Sequence, residues 1–220
     1  MDKKEIVIKE TEDGSKTFFI PSLNEHYHST KGALTESQHI FIKNGFDLFD
    51  KDQLNILEVG FGTGLNTYLT AREAEDKQIK THYTTLEKYP LSWKEVSSLN
   101  HETDDLLKNI HLAEWNRPLE LSPYFTLHKM EGDFKNEIFK LSNEFYDVVY
   151  FDAFAPEKQP EMWQENLFQQ LYVIMKPKSI LTTYCVKGVV KRMLKNCGFQ
   201  VQKIPGPPQG KREILRAIKN

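Results

Sequence analysis

Residues 56–66 read ILEVGFGTGLN, an apolar run that passes into three alternating glycines. The apolar residues predict a buried strand, and Gly60, Gly62 and Gly64 predict a tight turn before a helix. A strand, a glycine-rich turn and a helix in this order form a cradle for nucleotide-like ligands. A turn whose glycines only make a sharp bend would have the same sequence pattern. The presence and identity of a ligand therefore have to rest on other residues.

The glycine spacing and one acid point away from a dinucleotide. The dinucleotide fingerprint is G-x-G-x-x-G, whereas the spacing here is G-x-G-x-G. Glu58 stands just before the turn, where a carboxylate would repel a phosphate. S-adenosylmethionine carries a sulfonium and an amino-acid head group but no phosphate, so it is the cofactor that fits this stretch better.

The composition is that of a folded domain of moderate size. The chain has 220 residues, of which 39% are hydrophobic and 27% charged, which supports a core and argues against disorder. No apolar run approaches the ~20 residues of a membrane span, and the charged N-terminus lacks the apolar centre of a signal peptide. Cys185 and Cys197 are expected to be reduced thiols, and no Cys/His cluster has metal-ligand spacing. We therefore expect a cytoplasmic protein with no membrane association and no metal.

Positive charge is concentrated near the C-terminus. The net charge is −2, but residues 186–220 hold nine Lys/Arg and one acid, leaving 20 basic and 30 acidic residues elsewhere. A basic surface on an acidic protein predicts a polyanionic partner, with Lys187, Lys211 and Arg212 as candidate contacts. A solvated helix face and an edge strand protected by lysines would explain the same charges equally well.

Strands and helices alternate from residue 54 onward. The predicted strands are 54–59, 81–87, 124–130, 146–152, 179–185, 199–204 and 212–218. Apolar residues at helical spacing predict helices over 162–175, ended by Pro177, and over 186–197, ended by Gly198. This alternation predicts an α/β fold with a mostly parallel, seven-stranded sheet, whose last two strands form an antiparallel hairpin at one edge. It is the Rossmann-like architecture of class I methyltransferases that use S-adenosylmethionine.

Residues 1–50 predict a small extension packed on a main domain of residues 51–220. Residues 5–20 predict a hairpin around an Asp13-Gly14 turn. Thr35 and Gln38 resemble a capping box that opens a helix running to about Asn44, with Gly45 as its stop.

Acids stand at the ends of three predicted strands, where open α/β sheets bind their ligands. Glu87 is placed to accept both hydroxyls of an adenosine ribose. Asp133 is placed to accept from the adenine amino group while Phe134 packs on the ring, and Asp152 would stand beside the reactive methyl. Helix caps at Glu87 and Asp133 and an ordinary loop acid at Asp152 are the alternative interpretations.

Several segments together resemble one bacterial family. They are YHSTKGALTESQHIFI (27–42), LEVGFGTGLNT (57–67), LEKYPL (86–91), DVVYFDAFAPEKQPEMW (147–163) and GKREILRA (210–217). These segments are similar to the methyltransferase domain of the tRNA 5-methylaminomethyl-2-thiouridine biosynthesis proteins (MnmC/MnmD type), and the DAFAPEKQPEMW run is the most specific. Members often carry an FAD-dependent oxidase as well. Because the chain ends at Asn220, we expect the stand-alone form without FAD.

The resemblance implies a reaction and a set of residues. The reaction is methylation of the exocyclic amine of 5-aminomethyl(-2-thio)uridine at the wobble position, so the partner is the tRNA anticodon loop. A separate enzyme would supply the aminomethyl-uridine. We expect the protein itself to be a monomer. Asp152 would be catalytic, and Phe154 and Pro156 would face the substrate. Tyr27, Gly32 and Ser37 would flank the cofactor pocket. The residues implied at the cofactor are Glu58, Gly60, Gly62, Gly64, Asn66, Glu87, Asp133 and Phe134.

Three other functions remain open on the sequence. They are methylation of another amine or a protein, aminopropyl transfer, and RNA binding by a fold that has lost catalysis. The basic tail favours RNA over a polyamine, because a polyamine site would need local acids. The intact glycines and strand-end acids argue against a decayed enzyme.

Overall fold

The computed structural model describes residues 6–10, 14, 16–27, 32–99, 105–207, 210 and 212–220. Within them the strands are β1 Val7–Glu10, β2 Lys16–Ile20, β3 Glu25–His26, β4 Gln53–Val59, β5 Lys80–Glu87, β6 Leu119–Ser122, β7 Phe125–Glu131, β8 Tyr146–Phe151, β9 Met175–Thr183, β10 Gln200–Pro205 and β11 Glu213–Ile218. The α-helices are α1 Ala33–Ser37, α2 Leu65–Lys77, α3 Trp93–Ser97, α4 Asp105–Leu112, α5 Phe134–Glu137, α6 Glu165–Ile174 and α7 Gly188–Asn196. A π-helix covers Gln38–Lys43, and short 3₁₀ turns cover Phe46–Leu48, Ile138–Lys140 and Pro160–Met162.

The main sheet has the order β10-β11-β9-β8-β4-β5-β7-β6. Its central strands β9, β8, β4, β5 and β7 are parallel, and β11 runs antiparallel to both β9 and β10. The predicted parallel sheet with a C-terminal antiparallel hairpin is therefore confirmed. Helices α5, α6 and α7 supply side chains to the core on one face. The other core is formed with the π-helix, α2 and α4.

The sheet has eight strands within the described residues, so the predicted count of seven was wrong. The additional strand, β6, pairs antiparallel with β7 at the edge of the sheet. It is four residues long and its side chains are exposed or half-buried. A short edge strand of this kind lacks the buried alternation from which strands are predicted.

Three helix boundaries also differ from prediction. Helix α6 begins at Glu165, three residues later than predicted, because residues 160–162 form a separate 3₁₀ turn. Helix α6 ends at Ile174, and Met175 begins β9, so Pro177 lies inside a strand and does not end the helix. The pairing of β8 with β9 is irregular between Tyr146 and Val148, and Pro is tolerated where the ladder is interrupted. Helix α7 begins at Gly188, two residues later than predicted. Its predicted stop is confirmed, because Gly198 has φ +98°.

The N-terminal residues form a separate three-stranded sheet. Strands β1 and β2 are antiparallel, which confirms the hairpin, and β3 pairs with β2. Asp13 of the predicted turn lies outside the described residues. The Thr35/Gln38 capping box was wrong: α1 begins at Ala33 after Gly32, which places Thr35 inside the helix, and the chain passes into the π-helix at Gln38. The division at residue 50 stays a prediction.

Candidate active site

The glycine turn joins β4 to α2 and has left-handed backbone at each glycine. The φ angles are +96° at Gly60, +52° at Gly62 and +75° at Gly64, a region that other residues adopt only with strain. A Cβ on Gly60 would lie 2.7 Å from the backbone oxygen of Asp152. The turn therefore packs directly against the chain that leaves β8.

Glu87 ties the end of β5 to the glycine turn. Its Oε2 accepts from the Gly62 N–H at 3.1 Å, and its Oε1 accepts from the Tyr89 N–H at 2.9 Å. The alternative that Glu87 caps the next helix does not hold, because Ser92 and Glu95 form the capping box of α3. The Glu87 carboxylate lies in the wall of the cavity described below.

Asp133 caps α5 and also lies in the cavity wall. Its Oδ1 accepts from the Lys135 N–H at 3.1 Å, and its Oδ2 pairs with Lys88 Nζ at 2.9 Å. Burial raises the pKa of Asp133, but the bonds from Lys88 and Lys135 outweigh burial and leave that pKa lowered. Phe134 is buried, with its ring at 74° to that of Phe151, and still contributes to the cavity surface.

Asp152 follows β8 and is held by the helix after the glycine turn. Asn66 Nδ2 donates to Asp152 Oδ2 at 2.9 Å. Asn66 belongs to the first turn of α2 and is buried. The three strand-end acids Glu87, Asp133 and Asp152 are thus brought to one end of the sheet, around the glycine turn.

The loop between β8 and α6 is fixed by side-chain bonds to its backbone. Trp163 Nε1 donates to the Phe154 carbonyl at 2.8 Å, and Gln159 Oε1 accepts from the Phe154 N–H at 3.1 Å. Tyr184 Oη donates to the Ala153 carbonyl at 2.8 Å. Both carbonyls therefore already have a protein donor.

These groups surround a cavity of about 1130 Å³ at the carboxyl ends of the strands. The sequence-predicted residues in its wall are Gly60, Gly62, Asn66, Glu87, Asp133, Phe134, Asp152 and Phe154, with Tyr27 and Ser37 from the N-terminal segment. The structure does not place Glu58, Gly64, Pro156, Lys187, Arg212 or Gly32 in that wall. Lys211 lies outside the described residues.

Glu58 lies beneath the turn, outside the cavity wall. It is 0% exposed, and Thr67 Oγ1 donates to its Oε2 at 3.0 Å. Burial, reinforced by the charge of Asp152, raises the pKa of Glu58 to about 8, although the neighbouring polar groups of Thr85, Thr67 and Asn66 favour its charged form. The raised pKa favours the neutral acid near pH 7, which removes support from the argument that its charge repels a phosphate.

The basic residues near the C-terminus have distinct surroundings. Lys187 forms an ion pair with Glu157, which lies in the loop after Asp152. Arg212 is exposed. Lys187 is thus joined to the active-site loop, an arrangement that the charge count could not reveal.

Sequence reasoning missed several residues of the cavity wall. Tyr184, Lys88 and Tyr89 line it, as do the acids Glu25, Glu36 and Glu161. Glu25 and Glu36 both raise the pKa of Tyr184, after burial and the charge of Asp152. These acids also weaken the argument against a polyamine, which assumed that local acids were absent. Their spacing along the chain gave no signal, because β3 and α1 meet the cavity only through tertiary packing.

Within the described ranges, no group of three or more metal-binding side chains occurs. The described helices include none that is long and apolar enough to cross a membrane.

The sequence profile of a family described as S-adenosyl-L-methionine-dependent methyltransferase matches residues 97–220. The tRNA 5-methylaminomethyl-2-thiouridine biosynthesis bifunctional protein MnmC of Leptospira borgpetersenii is 33% identical over 207 residues, covering 86% of this chain and 31% of that protein. MnmC of Marinomonas sp. is 31% identical over 214 residues, covering 86% of this chain and 30% of that protein. The chain thus spans about a third of the length of the curated relatives it matches.

Solved structures agree with the fold. MNMC2 from Aquifex aeolicus has a TM-score of 0.82 and 25% identity, covering 98% of this chain and 71% of that one. Spermidine synthase from Thermotoga maritima has a TM-score of 0.62 and 14% identity, covering 100% and 71%, a likeness of fold alone. The predicted Rossmann-like class I fold is confirmed. With more than half of its length matched by the family profile, the chain belongs to the S-adenosyl-L-methionine-dependent methyltransferases.

Proposed function

We propose that the chain methylates the exocyclic amine of 5-aminomethyl(-2-thio)uridine at the wobble position of tRNA. The observation that carries this proposal is the Asp152 carboxylate, held by Asn66 at 2.9 Å in the wall of a cavity that also contains the strand-end acid Glu87. The similarity to proteins named for tRNA 5-methylaminomethyl-2-thiouridine biosynthesis supports this choice of amine.

The residues of the cavity fit S-adenosylmethionine. Gly60 and Gly62 contribute backbone without side chains of their own to the cavity wall, and the Glu87 carboxylate accepts two backbone N–H bonds that leave further lone pairs for ribose hydroxyls. Asp133 and Phe134 would hold the adenine, and Asn66 would lie near the amino-acid head group. When bound, S-adenosylmethionine supplies a methyl group that leaves the sulfonium sulfur as the bond to the substrate nitrogen forms.

Asp152 has two tasks in this proposal. It accepts an N–H bond from the substrate amine and so aims the nitrogen lone pair, a positioning effect that can contribute several kcal/mol. It then takes the proton that the amine must lose. A carboxylate also favours the ammonium form of the amine, so Asp152 helps only where orientation and proton transfer outweigh that effect.

Phe154 would stack on the uracil. Its ring lies in the cavity wall and packs nearly perpendicular to the ring of Tyr27, with centroids 5.4 Å apart. Enzymes that act on nucleobases take the base out of its stack and hold it on aromatic side chains. The anticodon loop is single-stranded, so exposing the base there costs little.

The test is methyl transfer to tRNA that carries 5-aminomethyl-2-thiouridine. The purified chain is incubated with S-adenosylmethionine labelled in the methyl group, and the tRNA is digested to nucleosides for mass spectrometry. Label in 5-methylaminomethyl-2-thiouridine, lost after RNase treatment of the substrate, is the expected result. Absence of label in that nucleoside, with label in another acceptor, would overturn the proposal. A separate enzyme must supply the tRNA that carries the 5-aminomethyl group. We expect the protein to be a monomer in solution.

One observation favours a second candidate, aminopropyl transfer to a polyamine. The acids Glu25, Glu36 and Glu161 lie in the cavity wall, and acids attract a polycation. Incubation with decarboxylated S-adenosylmethionine and putrescine distinguishes the two. A new polyamine product without tRNA methylation would replace the tRNA proposal.

A further inference from the structure

Glu58 is a buried acid that the mechanism above leaves unused. It lies in β4 at the centre of the sheet and has no exposed surface. Thr67 Oγ1 donates to Oε2 at 3.0 Å, while Oε1 is buried and has no hydrogen-bond partner within the described part of the chain. The Asn66 amide and the Thr85 hydroxyl are the other polar groups beside this carboxyl group, and Thr85 Oγ1 is also buried without a partner among the described residues.

Asn66 also has a buried side-chain oxygen that lacks a hydrogen-bond donor. The Asp152 carboxylate can only accept, so Asn66 must present its amide nitrogen there, and Nδ2 does donate to Asp152 Oδ2 at 2.9 Å. Asn66 Oδ1 is then turned away from Asp152, and it too is buried without a partner among the described residues. A buried acceptor without a donor is costly. One proton on Glu58 removes the deficiency, because a carboxylic acid donates where a carboxylate cannot.

We propose that Glu58 is a positioning residue, a neutral carboxylic acid whose O–H donates to Asn66 Oδ1 and thereby holds the Asn66 amide nitrogen on Asp152. Glu58 touches neither substrate nor cofactor, and it acts only through Asn66. The consequence for catalysis rests on the proposed function, since that function gives Asp152 its task.

The surroundings of Glu58 favour its neutral form. The groups that face it are Tyr83 on β5, Tyr150 on β8 and Asp152 after β8. Burial raises the pKa of both tyrosines, so they remain neutral phenols, and Asp152 contributes negative charge. Burial first, and then Asp152, place the pKa of Glu58 at about 8.

At a pH above the pKa of Glu58, the hydrogen bonding between Glu58, Asn66 and Asp152 would change. Ionised Glu58 would present an acceptor to Asn66 Oδ1, so the two oxygens would repel each other. The amide would lose its fixed orientation, and Asp152 would lose its donor. Glu58→Gln keeps the shape of the side chain and supplies an N–H donor to Asn66 Oδ1 at every pH.

The experiment compares kcat for tRNA methylation by wild type and Glu58→Gln at pH 7 and pH 9, with saturating S-adenosylmethionine. Taking the ratio of the two enzymes cancels the titration of the substrate amine. With Glu58 titrating near pH 8, the ratio of variant to wild type should rise about tenfold between these pH values. A ratio that does not change with pH overturns the proposal.

Thr67→Val is the matched control. It removes the bond to the other Glu58 oxygen but leaves the proposed link to Asn66, so Thr67→Val should keep the alkaline decrease in kcat that Glu58→Gln loses. An alkaline decrease lost in Thr67→Val and Glu58→Gln alike would show that general loosening of the site, and not the link to Asn66, is responsible.

A second measurement does not depend on methyl transfer. Carbon-13 NMR of protein labelled at glutamate carboxyls should show a resonance that titrates near pH 8 and is missing from Glu58→Gln. Titration of Glu58 below pH 6 would overturn the inference even if tRNA is methylated. Wild-type protein that gives no methylated tRNA but shows the titration near pH 8 would refute the proposed function and leave the neutral acid in place.

Discussion

Tyr27 and Phe154 meet edge to face, with ring centroids 5.4 Å apart, and join the N-terminal segment to the active-site loop. Tyr27 also lies over the glycine turn, since a Cβ on Gly62 would be 3.1 Å from its ring. The ring is packed further against Phe18, at 5.8 Å between centroids. One aromatic side chain therefore contacts both walls of the cavity.

This contact predicts that Tyr27→Ala weakens ligand binding. An aromatic pair contributes about 0.5–1.5 kcal/mol beyond its buried area, so we expect the Kd for S-adenosylhomocysteine, measured by calorimetry, to rise about tenfold. Tyr27→Phe keeps the ring and is the matched control, with a Kd close to that of wild type. Equal Kd values for Tyr27→Ala and wild type would show that the ring only fills space.

Asp152→Ala should reduce turnover and spare cofactor affinity. A positioned group that transfers a proton contributes about 10²–10⁴-fold, so we expect kcat to fall at least about 100-fold at saturating S-adenosylmethionine. The Kd for S-adenosylhomocysteine should change little if Asp152 faces the substrate, as we propose. Turnover near that of wild type would remove Asp152 from the mechanism.

The sequence predicted the cavity because its ligand-facing residues follow from rules about strand ends. The glycines of the turn and the acids Glu87, Asp133 and Asp152 all lie where a parallel sheet presents them. The contributions from β3 and α1, such as Glu25 and Glu36, could not be predicted, since they depend on how the N-terminal segment folds across the sheet.

The burial and ion pairing of individual charged side chains also could not be predicted from the sequence. Glu58 adjoins the glycine turn in the chain, but it points into the sheet, where its pKa rises. Lys187 was counted as free positive charge, yet it pairs with Glu157. Met175 fits the helical spacing of α6 but belongs to β9, because its pairing with Tyr146 overrides the local pattern.

Gly60→Ala should abolish cofactor binding. The new Cβ would lie 2.7 Å from the Asp152 backbone oxygen, at a φ of +96° that already strains an alanine. Gly14→Ala is the matched control, because Gly14 has φ +79° but open space around its Cβ position. We expect the control to lose about 1 kcal/mol of stability in urea unfolding and to bind S-adenosylhomocysteine normally. Normal binding by Gly60→Ala would show that the turn tolerates a shift.

Arg212→Glu should weaken tRNA binding and lessen its dependence on salt. Arg212 is exposed in the basic C-terminal region, and removing one phosphate contact on single-stranded RNA lowers the salt slope by about 0.7. Lys80→Glu makes the same change in charge at the start of β5, at the opposite end of the strands from the cavity. The measurement is tRNA affinity by filter binding at several salt concentrations. Equal losses in both variants would indicate a general charge effect and no local tRNA contact.

Glu58 should make the folded protein less stable as pH rises. The folded state keeps the Glu58 proton up to about pH 8, whereas the unfolded chain loses it near the ordinary value of 4.5. Between these values the folded state binds more protons, so the free energy of unfolding should fall by about 1.4 kcal/mol per pH unit from this group. The contribution is fully present below pH 4.5 and is lost by pH 8.

The measurement is urea unfolding of wild type and Glu58→Gln at pH 5, 6, 7 and 8, taken as the difference between the two proteins. This difference cancels groups that act in the opposite sense, such as Asp147. Burial raises the pKa of Asp147, but its bonds from Lys176, Lys51 and the Asn55 N–H lower it overall, so Asp147 stabilises the fold as pH rises from the acid range. Glu58→Gln should gain stability relative to wild type at each step toward pH 8. A constant difference would mean that Glu58 is already ionised in the folded protein, and Asn66 would then have to be held by another donor.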